Sequence, residues 1–279
     1  MLAVAISILA ALVWGGFLYA AYRFSRSRNV CGQEKKLNDR VNAPPASDST
    51  LEPLLLKFPK SPTLRRRYTA NALQRQDWET ALRRAAEFRA KCPREGDGWI
   101  LGARALQGLK RDEEAETLLR TALRRLPRDL PLLLHMAGRA REREDWAEMA
   151  RLMGLCRRHY PDRQEGYTQG AVALARAGRA GEARALLGQA RTRFPTRLEP
   201  WTIEAEITEQ AGAAEEALLV WTEIIGRFPL GWQGYTGKAG LLKRLGRTGE
   251  ACELLRTAQS YFPENQPVAE ALKRMEAAA

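Results

Sequence analysis

A proline recurs every 34 residues along most of this 279-residue chain. The seven prolines of this register are Pro59, Pro93, Pro127, Pro161, Pro195, Pro229 and Pro263. A fixed period of this length is typical of repeat architectures, in which one unit cannot bury its apolar face alone and must stack on its neighbours. Positions in different repeats can therefore be compared by their distance from the register proline.

Two columns of this register predict the first helix of each repeat, which we call helix A. Six residues after the proline stands a large apolar or aromatic residue in five repeats: Trp99, Leu133, Tyr167, Trp201 and Tyr235. Four residues later stands a small residue each time: Ala103, Ala137, Ala171, Ala205 and Ala239. A large side chain one helical turn before a small one lets a neighbouring helix approach closely.

A second helix, helix B, is predicted in the rest of each repeat. Its first column is small in five of six repeats, with Met149 as the exception: Ala81, Ala115, Ala183, Ala217 and Ala251. Polar or glycine turns separate the two helices, as at Gly178, Gly212 and Gly246. The proline ends each pair because it lacks a backbone donor and disfavours a helical residue before it.

This pattern resembles the tetratricopeptide repeat (TPR) over residues 62–265, as six units. The units begin at Pro62, Gly96, Leu130, Gln164, Leu198 and Trp232. The resemblance implies an all-α fold, a right-handed α-solenoid of six TPR helix pairs. The first unit departs from the pattern, with Arg65 in the large column and Thr69 in the small one, so its outer face needs cover. Residues 51–61, capped by Thr50, are predicted as a half-repeat capping helix, and residues 266–279 as a C-terminal capping helix.

The N-terminus predicts a membrane anchor over residues 1–22. The 21 residues from Leu2 to Tyr22 carry no charge, and as a helix they would be about 31 Å long, enough to cross a bilayer core. Arginines follow at once, so the positive-inside rule predicts a single-pass inner (plasma) membrane protein with its TPR domain in the cytoplasm. Residues 23–50 are predicted to be a basic juxtamembrane segment and flexible tether. The alternative is a cleaved signal peptide, although no basic residue precedes the apolar run.

The side chains that usually carry catalysis are sparse. The four cysteines lie far apart without a C-x-x-C pair, and neither histidine has metal-ligand spacing. Cys156 falls in a core column and is predicted to be buried, whereas Cys31 is either an acylation site beside the membrane or an idle thiol. We therefore predict no enzyme, no cofactor and no metal site.

A groove for a partner is what the resemblance implies instead, because the A helices of TPR domains line a concave surface that holds a peptide. The matching positions are Arg104, Gln107, Arg141, Arg176, Glu206, Glu209, Lys243 and Arg244. Converging cations would suit an acidic segment or a terminal carboxylate. The alternative is that these arginines form a solvated face. The family's chaperone-binding carboxylate clamp is not matched, since Asn71 is the only asparagine in a predicted helix A.

The function predicted from these features is a membrane-anchored scaffold or assembly factor that recruits partner proteins. The chain has a formal charge of +12, but its basic clusters are interleaved with acidic residues. No aromatic-rich binding face accompanies these clusters, so nucleic acid is not expected as a partner. The basic residues beside the tether would instead suit an anionic lipid surface, or they form a solvated helical surface. Two alternatives stay open: a periplasmic or secretory-pathway assembly protein, and a non-catalytic subunit of a membrane enzyme complex.

Overall fold

The computed structural model describes residues 47–277, and in that part of the chain it contains fourteen α-helices and no β-strand. The helices are α1 (Asp48–Lys57), α2 (Pro62–Gln74), α3 (Trp78–Lys91), α4 (Asp97–Gly108), α5 (Asp112–Arg125), α6 (Leu130–Glu142), α7 (Trp146–His159), α8 (Glu165–Arg176), α9 (Ala180–Arg193), α10 (Glu199–Gln210), α11 (Ala214–Arg227), α12 (Trp232–Arg244), α13 (Thr248–Tyr261) and α14 (Gln266–Glu276). They belong to two compact units, and the boundary between Thr121 and Ala122 falls inside α5.

The helices follow the proline register. The even-numbered helices α2 to α12 each begin shortly after a register proline and are the A helices, and the odd-numbered helices α3 to α13 are the B helices. The five large residues of the A-helix column are each at most 8% exposed, and the alanines four residues later at most 3%. This burial confirms the all-α helix-pair fold that the columns predict.

In the second unit, the large column forms aromatic pairs with the residue that precedes the next register proline. The rings of Tyr167 and Phe194 meet edge to face with centroids 5.6 Å apart. The same arrangement recurs one and two repeats later, at Trp201 with Phe228 (6.3 Å) and Tyr235 with Phe262 (5.8 Å). Such pairs stabilise beyond the area that they bury, so each tightens the end of helix B against helix A of its own repeat.

The first unit begins with α1, which packs on α2 through Leu51 and Leu64, both fully buried. This helix starts at Asp48 with Ser47 as N-cap, so the predicted start at Leu51 and the predicted cap Thr50 need correction. The helix is longer because a tertiary contact holds its first residue.

That contact is a cluster around the carboxylate of Asp48. It accepts hydrogen bonds from Arg75 (2.7 Å) and Arg84 (2.8 Å) at Oδ2 and from Asn71 (3.0 Å) at Oδ1. The guanidinium of Arg84 also lies over the ring of Tyr68, 3.5 Å from its centroid. The cluster ties α1 to both helices of the first repeat.

Arg65 replaces the large apolar residue of the first repeat and is still only 9% exposed. Its Nε donates to the carbonyl of the register proline Pro59 at 2.6 Å. In the sixth repeat the hydroxyl of Tyr235 donates to the carbonyl of Pro229 at 3.3 Å, from the same register position. A basic residue thus fills an aromatic position by making the same backbone contact.

The turn between helices A and B requires a left-handed residue in every repeat. Glycine occupies this position in the last three repeats, at Gly178, Gly212 and Gly246, with φ of 75–79°. The first three repeats use Gln76, Lys110 and Glu144 there, with φ of 56–60°. Since a Cβ makes this conformation unfavourable, these three turns are strained relative to the glycine turns.

The predicted anchor, most of the predicted tether and Cys31 lie outside the described residues. Among residues 47–277, no helix is both long enough and apolar enough to span a membrane.

Candidate functional site

A pocket in the second unit contains three of the eight predicted groove residues. It is an open cavity of about 400 Å³ between the A helices α10 and α12, with the B helix α11 as its floor. The lining residues are Thr202, Glu206, Glu209, Trp221, Gln233, Thr236, Gly237, Gly240 and Arg244. We call this cavity the α10–α12 pocket.

Helical spacing explains why these residues share one surface. Thr202, Glu206 and Glu209 follow one another at four and three residues, which places them on one face of α10. The lining residues of α12 repeat at similar intervals from Gln233 to Arg244. The two A helices therefore turn matching polar faces toward the same cavity.

Close approach of Trp221 to α12 shapes the floor. A Cβ at Gly237 would lie 2.4 Å from the Trp221 ring, so this contact requires a residue without a side chain. Trp221 is only 4% exposed. Glycine at position 237 thus lets a large ring fill the space between α11 and α12.

The carboxylate of Glu209 is occupied by two donors. The indole N–H of Trp221 donates to Oε1 at 2.5 Å, and the guanidinium of Arg244 forms an ion pair with Oε2. The Glu209 side chain is 14% exposed and that of Arg244 61%. The cation of this pocket is therefore already paired with a carboxylate of the neighbouring repeat.

The second carboxylate of the pocket, that of Glu206, has a different environment from that of Glu209. Glu206 is an exposed residue, but partial desolvation of its carboxyl raises its pKa above the ordinary value, and the negative charge of Glu209 raises it further. No arginine or lysine among the described residues lies within ion-pair distance of it. The lining of the α10–α12 pocket consequently carries two carboxylates and one cation, and of these two carboxylates Glu206 is the one without an ion-pair partner among the described residues.

Two other predicted residues, Arg104 and Gln107, line a separate cavity in the first unit. It measures about 300 Å³ and is bounded mainly by α2, α4 and the ring of Trp78. A Cβ at Gly108 would clash with that ring, so a tryptophan again packs on a glycine of a helix A. Arg104 is exposed at its rim.

The remaining predicted residues lie outside these cavities. The guanidinium of Arg176 is 5.9 Å from the centroid of the Trp146 ring. Arg141 and Lys243 are exposed on α6 and α12. Whether Arg104, Arg141 and Arg176 serve one ligand stays a prediction.

Sequence reasoning missed the other six lining residues: Thr202, Trp221, Gln233, Thr236, Gly237 and Gly240. A signal was present, because Trp221 stands in a column that holds leucine in the repeats before and after it, and Gly237 in one that holds Ile203 in the preceding repeat. An enlarged residue and a missing side chain in two columns indicate local repacking.

The described residues offer little for metal or thiol chemistry. Among residues 47–277, no group of three His, Cys, Asp or Glu side chains is arranged to hold a metal ion. Cys156 is 1% exposed, as its column predicts, and burial raises the pKa of its thiol to about 11. A neutral, buried thiol is unreactive.

No protein-family model matches the chain, and no curated protein does either. Solved structures do match. A TPR repeat-containing protein from Cytophaga hutchinsonii is 12% identical with a TM-score of 0.57, covering 81% of this chain and 93% of its own. Yeast Tom70 is 17% identical with a TM-score of 0.56, covering 83% of this chain and 50% of its own. PilW, described as a widely conserved type IV pilus biogenesis factor, is 19% identical with a TM-score of 0.51, covering 76% of this chain and 98% of its own.

These likenesses define the fold. The chain has the all-α, TPR-like solenoid fold, which confirms the resemblance predicted from the proline register. It spans half or less of the length of the larger neighbours, 50% in the case of yeast Tom70.

Proposed function

We propose that this protein is an interaction scaffold or assembly factor that binds partner proteins in cavities between its A helices. The observation that carries this proposal is the α10–α12 pocket, an open cavity of about 400 Å³ lined by polar side chains of two successive A helices. Cavities of this size accommodate side chains or short segments of a ligand. The description of PilW as a pilus biogenesis factor supports an assembly role for a chain of this fold.

Site-directed photo-crosslinking in the cells that make the protein tests this proposal. A photoreactive p-benzoylphenylalanine in place of the exposed Gln233 lies at the pocket and should yield discrete protein adducts. The matched control carries the same group in place of Leu219, a residue of α11 that is 72% exposed. Adducts that are absent at Gln233, or identical at both positions, would exclude the pocket as a binding surface.

Membrane anchoring is a further part of the proposal. It is supported by the uncharged run Leu2–Tyr22 and by the arginines that follow it, at positions 23, 26 and 28. A reporter fused after the last residue should give low alkaline phosphatase activity and bright fluorescence in a bacterial host. High phosphatase activity would place the repeats in the periplasm and favour the secretory-pathway alternative.

The exposed arginines supply the second candidate contact, with acidic partner segments. Replacing Arg104, Arg141 and Arg176 together by glutamate should remove such partners from affinity captures, since each charge-assisted contact contributes about 1.5–3 kcal/mol. Helical content should be unchanged because exposed substitutions cost little. An unchanged set of partners would assign these arginines to the solvated surface. Co-purification with a membrane enzyme complex would then test the alternative that the protein is a non-catalytic subunit of such a complex.

A further inference from the structure

The α10–α12 pocket has a charge imbalance that bears on what it binds. Among its lining residues, Glu206 and Glu209 share the cavity with a single cation, Arg244. Glu209 is satisfied by Trp221 and Arg244, so the free negative charge belongs to Glu206.

We propose that the α10–α12 pocket receives a basic side chain, lysine or arginine, of the bound partner, with the carboxylate of Glu206 as its counter-charge. This deepens the function proposed above and rests on it. The pocket thus binds a basic group of the partner, whereas the exposed arginines suggest contacts with an acidic one.

The lining of the pocket suits the chemistry of a basic side chain. Trp221 and the glycines Gly237 and Gly240 provide an apolar floor along which a methylene stem can lie. Thr202, Gln233 and Glu206 line the same cavity and offer oxygen acceptors to the ammonium or guanidinium donors.

An acidic group would meet an unfavourable environment in the same place. It would face the charge of Glu206, and it could reach Arg244 only in competition with Glu209. Desolvation and the negative charge of Glu209 both raise the pKa of Glu206, and a neighbouring cation would relieve the second effect.

A peptide selection tests the proposal because it assumes no particular partner. A random library of displayed ten-residue peptides is selected against the full-length protein in detergent micelles. We expect the enriched peptides to share lysine or arginine at one fixed position. Replacing that residue by norleucine, which keeps the stem and removes the charge, should weaken binding about tenfold or more.

Three variants locate the contact. Glu206→Gln keeps the shape and removes the charge, and it should lose the same factor of about ten with the basic peptide but nothing with the norleucine peptide. Glu206→Lys should instead favour a peptide with glutamate at the fixed position. The matched control, Glu253→Gln on the exposed face of α13, should leave every affinity unchanged.

The outcomes separate this inference from the function on which it rests. Enriched peptides without a common basic residue, or binding that is indifferent to Glu206→Gln, would overturn the inference and leave the interaction function standing. A library that yields no peptide above background would count against the interaction function, and the inference would fall with it.

Discussion

Removing the carboxylate of Asp48 should release the capping helix α1 from the first repeat. Three donors converge on this side chain, which is 19% exposed, and one of them, Arg84, is 10% exposed. Hydrogen bonds to charged groups contribute about 1.5–3 kcal/mol when shielded, whereas Arg75 is 53% exposed and contributes less. Asp48→Ala should therefore lower the stability of the α1 attachment by about 2–4 kcal/mol.

Hydrogen exchange of the α1 amides measures this directly. If exchange proceeds through detachment of α1, the loss corresponds to a roughly 30- to 700-fold faster rate. The matched control is Asp162→Ala, because Asp162 accepts from Arg193 at 2.6 Å but is 90% exposed. The control should change exchange of its own segment by less than about threefold. Equal effects of the two substitutions would refute the assignment of Asp48 as the anchor.

Lowering the pH should weaken the contact between Asp48 and its three donors. Partial burial by itself would raise the pKa of Asp48, but hydrogen bonds from Arg75, Arg84 and Asn71 outweigh it and hold that pKa well below its usual range. A carboxyl with a depressed folded-state pKa stabilises above its unfolded pKa of about 3.9 and loses that contribution as the pH falls toward the folded value. The difference in α1 exchange between wild type and Asp48→Ala should therefore be constant above about pH 5 and shrink below about pH 4. A difference that instead shrinks between about pH 5 and pH 8 would contradict this account.

Four further substitutions test the turns and the packing. Glu144→Gly should raise the free energy of unfolding by about 0.5–1 kcal/mol, because φ is 56° at this position. Gly178→Ala should lower it in the equivalent turn of the next repeat. Urea midpoints that move in the other direction would refute the strain in the turns without glycine. Ala205→Trp should destabilise by about 1–3 kcal/mol or more because Ala205 is fully buried, and an unchanged thermal melt would contradict the placement of α10. Gly237→Ala should displace the Trp221 ring, at a similar cost of about 1–3 kcal/mol, and alter the near-UV circular dichroism; an unaltered spectrum would contradict the close approach of that ring to α12.

The helices of each repeat follow from the sequence by itself. The prolines end the pairs, the columns of large and small residues mark the buried faces, and both signals are local or recur at a fixed interval. Tyr235 and Ala239 could be assigned to the core for this reason, and both are at most 4% exposed. A periodic pattern is enough because each repeat solves the same packing problem with its neighbour.

The places where residues depart from the columns could be explained only from the structure. Arg65 occupies an aromatic position, and its burial depends on a carbonyl, that of Pro59, which the register does not identify as an acceptor. The start of α1 moved to Asp48 because donors from α2 and α3 meet its carboxylate. The contacts of Asp48, with residues 23 to 36 positions away, leave no periodic trace in the sequence.

The contacts within the α10–α12 pocket could not be predicted from the sequence either. The resemblance to TPR domains could name Glu206, Glu209 and Arg244 as candidates, because their places in the register match the groove positions of that family. Only the tertiary structure decides that Arg244 pairs with Glu209 and that Glu206 has no cationic partner within residues 47–277. The physical reason is that an ion pair depends on distances of a few ångströms between side chains 35 residues apart, whereas helical spacing determines only the direction in which each side chain leaves its helix.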